Sequence, residues 1–286
     1  MSAPSDLLYA AHFGMTERPF SLVPDPAYLF WSKEHKRAFA VLEYALFTQA
    51  PIALVTGEIG AGKTTLLQEL LSRLGNDVTV GLVSNAQGGR GELIQWILNA
   101  LYVKTAPEAS YVEMFQALQD HLLTEYANGR RVVLVFDEAQ NLSMEGLEEL
   151  RMLTNINSNK DVLVQLVLVG QPELRDMVMN PKLEQLFQRI ASNYHLSKMS
   201  RSTMEDYIRH RLKIAGGSGE EFDPEVFDLI FAETGGTPRL VNQLCDFSLL
   251  YAWSSEEPKV SLDTVTQLLD DGVYMRRTRP SKEEAV

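Results

Sequence analysis

Cys245 is the chain's single cysteine, so no disulfide can form within it, and the five histidines at 12, 35, 121, 195 and 210 show no metal-ligand spacing. A lone thiol in an apolar helical stretch reads as a small core residue, and the missing disulfide framework suits a reducing compartment. Long apolar runs are also lacking. The longest stretches, 132–136 and 166–169, have the length of strands, well short of the roughly 18 to 20 residues of a membrane span. Neither end carries a signal-peptide pattern, and a cytoplasmic location is expected. Basic residues are the minority: 26 Lys and Arg against 38 Asp and Glu leave a formal net charge of −12. Such a balance disfavours nucleic-acid binding by the whole surface, although a local basic patch is compatible with it.

What the chain does have is 286 residues, enough for a large α/β domain and a smaller one, and a glycine-rich stretch in a telling place. Gly57-Glu58-Ile59-Gly60-Ala61-Gly62-Lys63-Thr64 fits the phosphate-binding pattern G-x-x-x-x-G-K-[ST]. An apolar run at 51–56 precedes it and reads as a buried strand; from Thr65 to 72 the leucines have helical spacing. Strand, glycine loop and helix thus occur in the order that phosphate binding needs. Glycines let the backbone turn tightly and aim successive N–H groups at phosphate oxygens, and the helix N-terminus adds partial positive charge. Lys63 is expected to bridge the β- and γ-phosphates of ATP, and the Thr64 hydroxyl to ligate Mg²⁺.

A second constellation is Arg131-Val-Val-Leu-Val-Phe-Asp-Glu-Ala-Gln140. Its apolar run fits a central parallel strand buried on both faces, with Asp137 and Glu138 at the C-terminal end, where such sheets bind ligands. Asp137 is expected in the Mg²⁺ shell, and Glu138 as the group that orients and polarises the attacking water.

The remaining chain supports this frame. Residues 1–11 read as a mobile start and 12–30 as a Pro- and aromatic-rich extended arm, with Phe20, Pro24 and Pro26 either contacting the base or simply packing. Ser32 is placed to cap a helix running to about Gln49. A second strand at 78–83 leads to a polar glycine loop, 84–91, without the aromatic residue that would grip a threaded polypeptide. Helices follow at 92–102 and 111–126, another at 142–153, and a fourth strand at 162–169. Just beyond it, Gln171 is a candidate sensor of the γ-phosphate, or else part of a strand-ending turn. A helix at 183–190 runs into a short strand at 194–196. Arg189 near that helix's end either reaches a neighbouring subunit's nucleotide or complements its own helix terminus. After Ser200 the strand pattern stops, and helices at 203–215, 224–234, 237–253 and 262–272 read as a small lid. Arg239, in Thr237-Pro-Arg-Leu-Val-Asn242, opens the third of these; the tail 275–286 reads as solvated.

In this order the motifs resemble those of the AAA+ ATPases, over about residues 30–272. More narrowly, H-F-G-M-x-x-x-P-F-S-L-x-P-D-P-x-Y-L-F, G-E-I-G-A-G-K-T-T-L-L, D-E-A-Q-N-L and G-Q-P-E-L resemble the general secretion pathway protein A (ExeA) family. That resemblance implies a P-loop α/β sandwich of three layers, with a parallel five-stranded sheet of order 5-1-4-3-2 and a helical lid. It divides the chain into an arm (1–30), the nucleotide-binding domain (31–200), the lid (201–274) and a tail (275–286). It further implies ATP hydrolysis, Walker A at 57–64, Walker B at Asp137 and Glu138, Arg189 as a finger acting across a ring or dimer, and Arg239 as the second sensor. The implied client is a protein complex of a secretion or envelope system, reached at the inner membrane through partners. Longer family members carry a membrane span and a peptidoglycan-binding domain, which this sequence is expected to lack, and some related ATPases assist transposition on DNA.

Overall fold

The computed structural model describes residues 8–23, 25–84, 91–158 and 161–274. They form two compact units, one of Trp31–Ser197 and one that joins the N-terminal segment up to Phe30 to the chain from Lys198 onward.

In the first unit a parallel sheet holds β1 (Ile52–Gly57), β2 (Val78–Ser84), β3 (Arg131–Asp137), β4 (Val164–Gly170) and β5 (Ile190–Leu196) in the order β2-β3-β4-β1-β5. From the other edge this is the expected 5-1-4-3-2. One detail differs: Asn157–Ser158 and Asp161–Val162 pair as a small antiparallel hairpin, so β4 begins at Val164 rather than 162. The central strands β3, β4 and β1 are buried on both faces, which is why their sequences are continuous apolar runs.

Alternation divides each run between two cores. Ile52, Leu54, Leu134, Phe136, Leu166 and Leu168 pack under α3 (Glu92–Ala100), α4 (Tyr111–Ala127) and α5 (Met144–Leu153). Ala53, Val55, Val133, Val135, Val167 and Val169 face α1 (Lys33–Phe47) and α2 (Lys63–Ser72). Each fully buried Val or Leu contributes on the order of 1.5–3 kcal/mol, so the strand order is held by a large apolar term on both sides. Gln165 is the exception inside β4; its amide donates to the carbonyls of Ala45 and Ala50 at 3.3 and 3.2 Å and ties up the end of α1. Beyond β4 come α6 (Pro172–Val178) and a one-turn α7 (Glu184–Phe187), after which β5 starts at Ile190. The expected helix at 183–190 is therefore shorter and the expected strand at 194–196 longer.

The second unit contains α8 (Arg201–Ile214), α9 (Val226–Thr234), α10 (Pro238–Ser254) and α11 (Leu262–Asp270), close to the four expected helices. Cys245 is wholly buried on α10, and burial pushes its thiol well above the ordinary value. The N-terminal segment is part of this unit's core rather than an arm of its own. Tyr9 and Ala10 are buried, which corrects the expectation of a loose start through residue 11. Phe20 is buried edge-on against Phe222, with ring centroids 6.2 Å apart, so it packs within the helical unit and is not a base contact. Pro24, the Pro26 side chain, residues 1–7, the loop 85–90 and the tail 275–286 lie outside the described residues.

Arg211 fastens the segment. Its buried guanidinium donates to the Pro19 carbonyl at 2.6 Å and the Tyr207 hydroxyl at 2.8 Å, and lies over the Tyr28 ring, 4.7 Å from its centroid. Tyr207 in turn donates to Asn242 Oδ1 at 2.7 Å. Removing the guanidinium leaves these buried acceptors without their donor. Arg211→Met should therefore cost about 2 kcal/mol in the helical unit and release the segment, read as a lower denaturant midpoint and faster hydrogen exchange in residues 8–23.

Candidate active site

Parallel strands bring all their carboxyl ends to one edge, and the register decides which residues meet there. Thr56 of β1 pairs with Gly170 of β4, and Phe136 of β3 pairs with Leu168 of β4. The loop after β1 and the carboxylates after β3 thus flank the end of β4, where Gln171 follows.

The loop 57–64 turns directly into α2. Gly62, its last residue before the helix, has φ +89°, a left-handed conformation that costs a residue with a Cβ about 1–2 kcal/mol. No side chain caps α2 at Gly62, so the N–H groups of the first turn keep their capacity for an anionic ligand. Lys63 is buried, and its ammonium donates to the carbonyls of Gly57 at 2.7 Å and Glu58 at 3.0 Å. Burial lowers its pKa, against the pull of Glu138, Asp137, Glu58 and Glu173. Ile59 is exposed, Ala61 is buried, and Thr65 lies in the first turn of α2.

Thr64 Oγ1 donates to Asp137 Oδ2 at 3.3 Å. A hydroxyl and a carboxylate side by side next to a phosphate-binding loop fit Mg²⁺, which takes few protein ligands and completes its shell with phosphate and water. No group of three or more His, Cys, Asp or Glu side chains among the described residues is gathered for a metal held by protein alone. Burial raises the Asp137 pKa, assisted by the nearby Glu138 charge and opposed by the Glu138 N–H, Thr64 and Lys63.

Glu138 is held differently. Gln171 Nε2 donates to its Oε2 at 3.0 Å, and Gln140 Nε2 donates to the same oxygen. The Gln171 N–H donates to Gln140 Oε1 at 3.0 Å, which fixes the orientation of that amide and closes the ring. Burial would raise the Glu138 carboxyl; the two amides and Lys63 outweigh it and hold the group below its ordinary value. Gln171 is thus tied to Glu138 and Gln140 at the end of β4. Gln140 was missed, although it sits two residues past Glu138 in the quoted motif. A glutamine in a short turn has no periodic signature, and only the fold shows what its amide meets.

Arg189 is not brought into this cluster. Arg189 Nη1 donates to Thr154 Oγ1 at 2.8 Å and to the Thr154 carbonyl at 3.3 Å, and Nη2 donates to Asn155 Oδ1, so the guanidinium is held at the end of α5 in its own unit. Arg239 is exposed in the first turn of α10, in the other unit. Just before α10, Gly236 has φ +71°, and a Cβ there would lie 2.1 Å from the Met199 carbonyl oxygen.

This fold is a P-loop α/β fold of the AAA type. A family model described as AAA domain matches residues 47–178. The chain's resemblance to general secretion pathway protein A is also shown: it is 38% identical over 253 residues to that protein of Aeromonas hydrophila, across 88% of this chain and 46% of the relative. The chain thus spans about half the length of that relative. A second similarity, 26% over 215 residues, is to the Mu-like prophage FluMu DNA transposition protein B of Haemophilus influenzae, across 73% of this chain and 68% of that protein. Among solved structures the Aeropyrum pernix ORC2 protein, in ADPNP-ADP complexes, shares the fold with a TM-score of 0.66 at 19% identity, across 89% of this chain and 71% of that one. No helix among the described residues is long and apolar enough to cross a membrane.

The Glu138 geometry sets a pH dependence. Its carboxylate form is favoured in the fold, so the stability it adds is complete above the ordinary glutamate range, near 4.3, and is lost as pH falls through the lowered folded value. Gln171→Ala removes one of the two amide donors and leaves the burial in place. It should raise the Glu138 pKa, measured as a midpoint at higher pH for the Glu138 side-chain carboxyl in an NMR titration.

Proposed function

We propose that this chain is a Mg²⁺-dependent ATP hydrolase whose nucleotide state governs its own assembly. Through assembly it remodels a protein complex of a bacterial secretion, envelope or polysaccharide-export system. The observation that carries this reading is the grouping of Lys63, Thr64, Asp137, Glu138 and Gln171 at one sheet edge beside a loop built for phosphate. Residues 57–65 hold the triphosphate through loop N–H groups, and Lys63 exchanges its two loop carbonyls for phosphate oxygens. Thr64 and Asp137 are the residues that would hold Mg²⁺, which supplies charge neutralisation on the phosphates. Glu138 has one carboxylate oxygen committed to the two amides, and the other orients water for attack. Gln171 links that carboxylate to the state of the γ-phosphate, since its amide cannot serve both partners equally. Arg239 and a neighbouring subunit's Arg189 complete the charge around the transferred group. For Arg189 this requires giving up its contacts with Thr154 and Asn155. Loss of the γ-phosphate removes contacts that favour the assembled form, so chemistry becomes a change of assembly.

The protein client and a cytoplasmic site of action, peripheral at the inner membrane through partners, are supported by the similarity to general secretion pathway protein A. A second reading, an ATPase that assembles on DNA, is favoured by the similarity to a DNA transposition protein. The net charge of −12 weighs against it, because DNA affinity comes chiefly from phosphate neutralisation by Lys and Arg.

Light-scattering mass distinguishes the two, measured with ADP, with ATP, and with ATP on Glu138→Gln, each with and without duplex DNA. Glu138→Gln should bind ATP and stay assembled while turnover falls at least about a hundredfold; Lys63→Ala should neither bind nor assemble. Growth with ATP alone supports a protein client, and growth only on DNA supports the second reading. Ordinary turnover in Glu138→Gln would sink the role given to that residue.

A further inference from the structure

One histidine does chemistry that its spacing does not reveal. Ser32 caps α1: its hydroxyl accepts from the His35 backbone N–H at 3.2 Å and lies 2.8 Å from His35 Nδ1. On the far side of the ring, His35 Nε2 lies 3.1 Å from the Ala61 carbonyl oxygen. A carbonyl can only accept, so Nε2 carries the proton. In a neutral ring Nδ1 is then the acceptor of a hydrogen bond donated by the Ser32 hydroxyl, so both ring nitrogens and the hydroxyl are satisfied. Neutrality follows from burial, which pushes the imidazole below its ordinary value against the Ala61 carbonyl and the Glu34 charge. The ring also lies against the Gly62 backbone: a Cβ there would stand 2.8 Å from Nε2. Gly62 is thus required twice, by its left-handed φ and by the imidazole beside it.

We propose that His35 is a positioning residue of the nucleotide site, holding the Ala61–Gly62 peptide in the orientation that presents the Gly62 N–H to phosphate. The peptide is planar and trans, so its C=O and N–H point in opposite directions. Anchoring the Ala61 oxygen on the α1 side therefore turns the Gly62 N–H away from α1, and a flip of this peptide would replace a donor with a carbonyl dipole where an anion must sit. Released from His35, the buried carbonyl loses its partner and the flip loses its restraint. The inference rests on the nucleotide-site reading above, and it adds to the phosphate-binding motif a residue 26 positions before Ala61.

The test compares His35→Gln, whose side-chain amide reaches about as far as Nε2, with His35→Phe, which keeps the ring's shape without a donor. Mg·ADP and Mg·ATPγS affinities are measured by titration calorimetry on the full chain, alongside kcat and the melting temperature. His35→Phe should bind about tenfold more weakly and His35→Gln within about threefold of the parent, with kcat at saturation little changed in both. Should His35→Phe fail to fold, His35→Asn, which keeps the Ser32 contact but cannot reach Ala61, takes its place with the same expected loss. In the parent, ring nitrogen shifts should report the Nε2–H tautomer at neutral pH. Parent-like affinity in the donor-less variant, or equal loss in His35→Gln, would overturn the role of His35. Absence of nucleotide binding by the parent would instead overturn the reading of the site itself.

Discussion

Two carboxylates and one ammonium share a half-buried edge, and the rest of the α/β unit is arranged around the cost of holding them there. Lys63 is pulled down and Asp137 pushed up by burial, each toward its neutral form. Such groups lose hydration that their mutual attraction only partly replaces. They hold their places because the elements that carry them are stiff. Thr64 and Lys63 open a helix packed on the sheet, Asp137 ends a strand buried on both faces, and Gln171 follows another. A polyphosphate with its cation is the kind of ligand that would turn this edge from a cost into a gain. The same reasoning explains why the lysine rests on two backbone carbonyls: these neutral acceptors satisfy it without competing strongly for it.

Much of this was legible in the sequence because it is local. The continuous apolar runs of β1, β3 and β4 announce central strands, and the G-x-x-x-x-G-K-T spacing sets the loop between β1 and α2. Ser32, read as a helix cap, does cap α1. What was not legible depends on contacts distant in sequence. His35 meets Ala61 across 26 residues, Gln140 meets Gln171 across 31, and Arg211 meets Pro19 across 192. The aromatic segment before Phe30 signalled ring packing but not the surface that receives it. Around 183–190, the apolar residues Leu183, Leu186, Phe187 and Ile190 match a helical period, yet the last of them begins β5. A 3.6-residue pattern over eight positions cannot tell one long helix from a short helix followed by a strand.

Glu138 is where a local rule gives way, and the geometry shows why. Its φ and ψ of 55° and 38° are left-handed, a conformation that Gly or Asn adopts more easily and that a glutamate adopts at a cost of about 1 kcal/mol or more. In a strand, side chains alternate. Phe136 packs on the α3 side and Val135 on the α1 side, so Asp137 points toward α2 and Thr64. Continued extension would send the next side chain to the opposite face, away from the phosphate loop. The left-handed turn breaks the alternation at once. It lets the Glu138 N–H reach back to Asp137 Oδ1 at 3.0 Å and leads into the short helical turn Ala139–Asn141, whose Gln140 amide grips the Glu138 carboxylate together with Gln171. Both acids thus end on the same edge of the sheet. A strained residue survives where its surroundings over-determine it, and here the buried Ala139, the paired glutamines and the Asp137 acceptor do so together. The strain is the structural condition for two adjacent carboxylates to share one edge of the sheet.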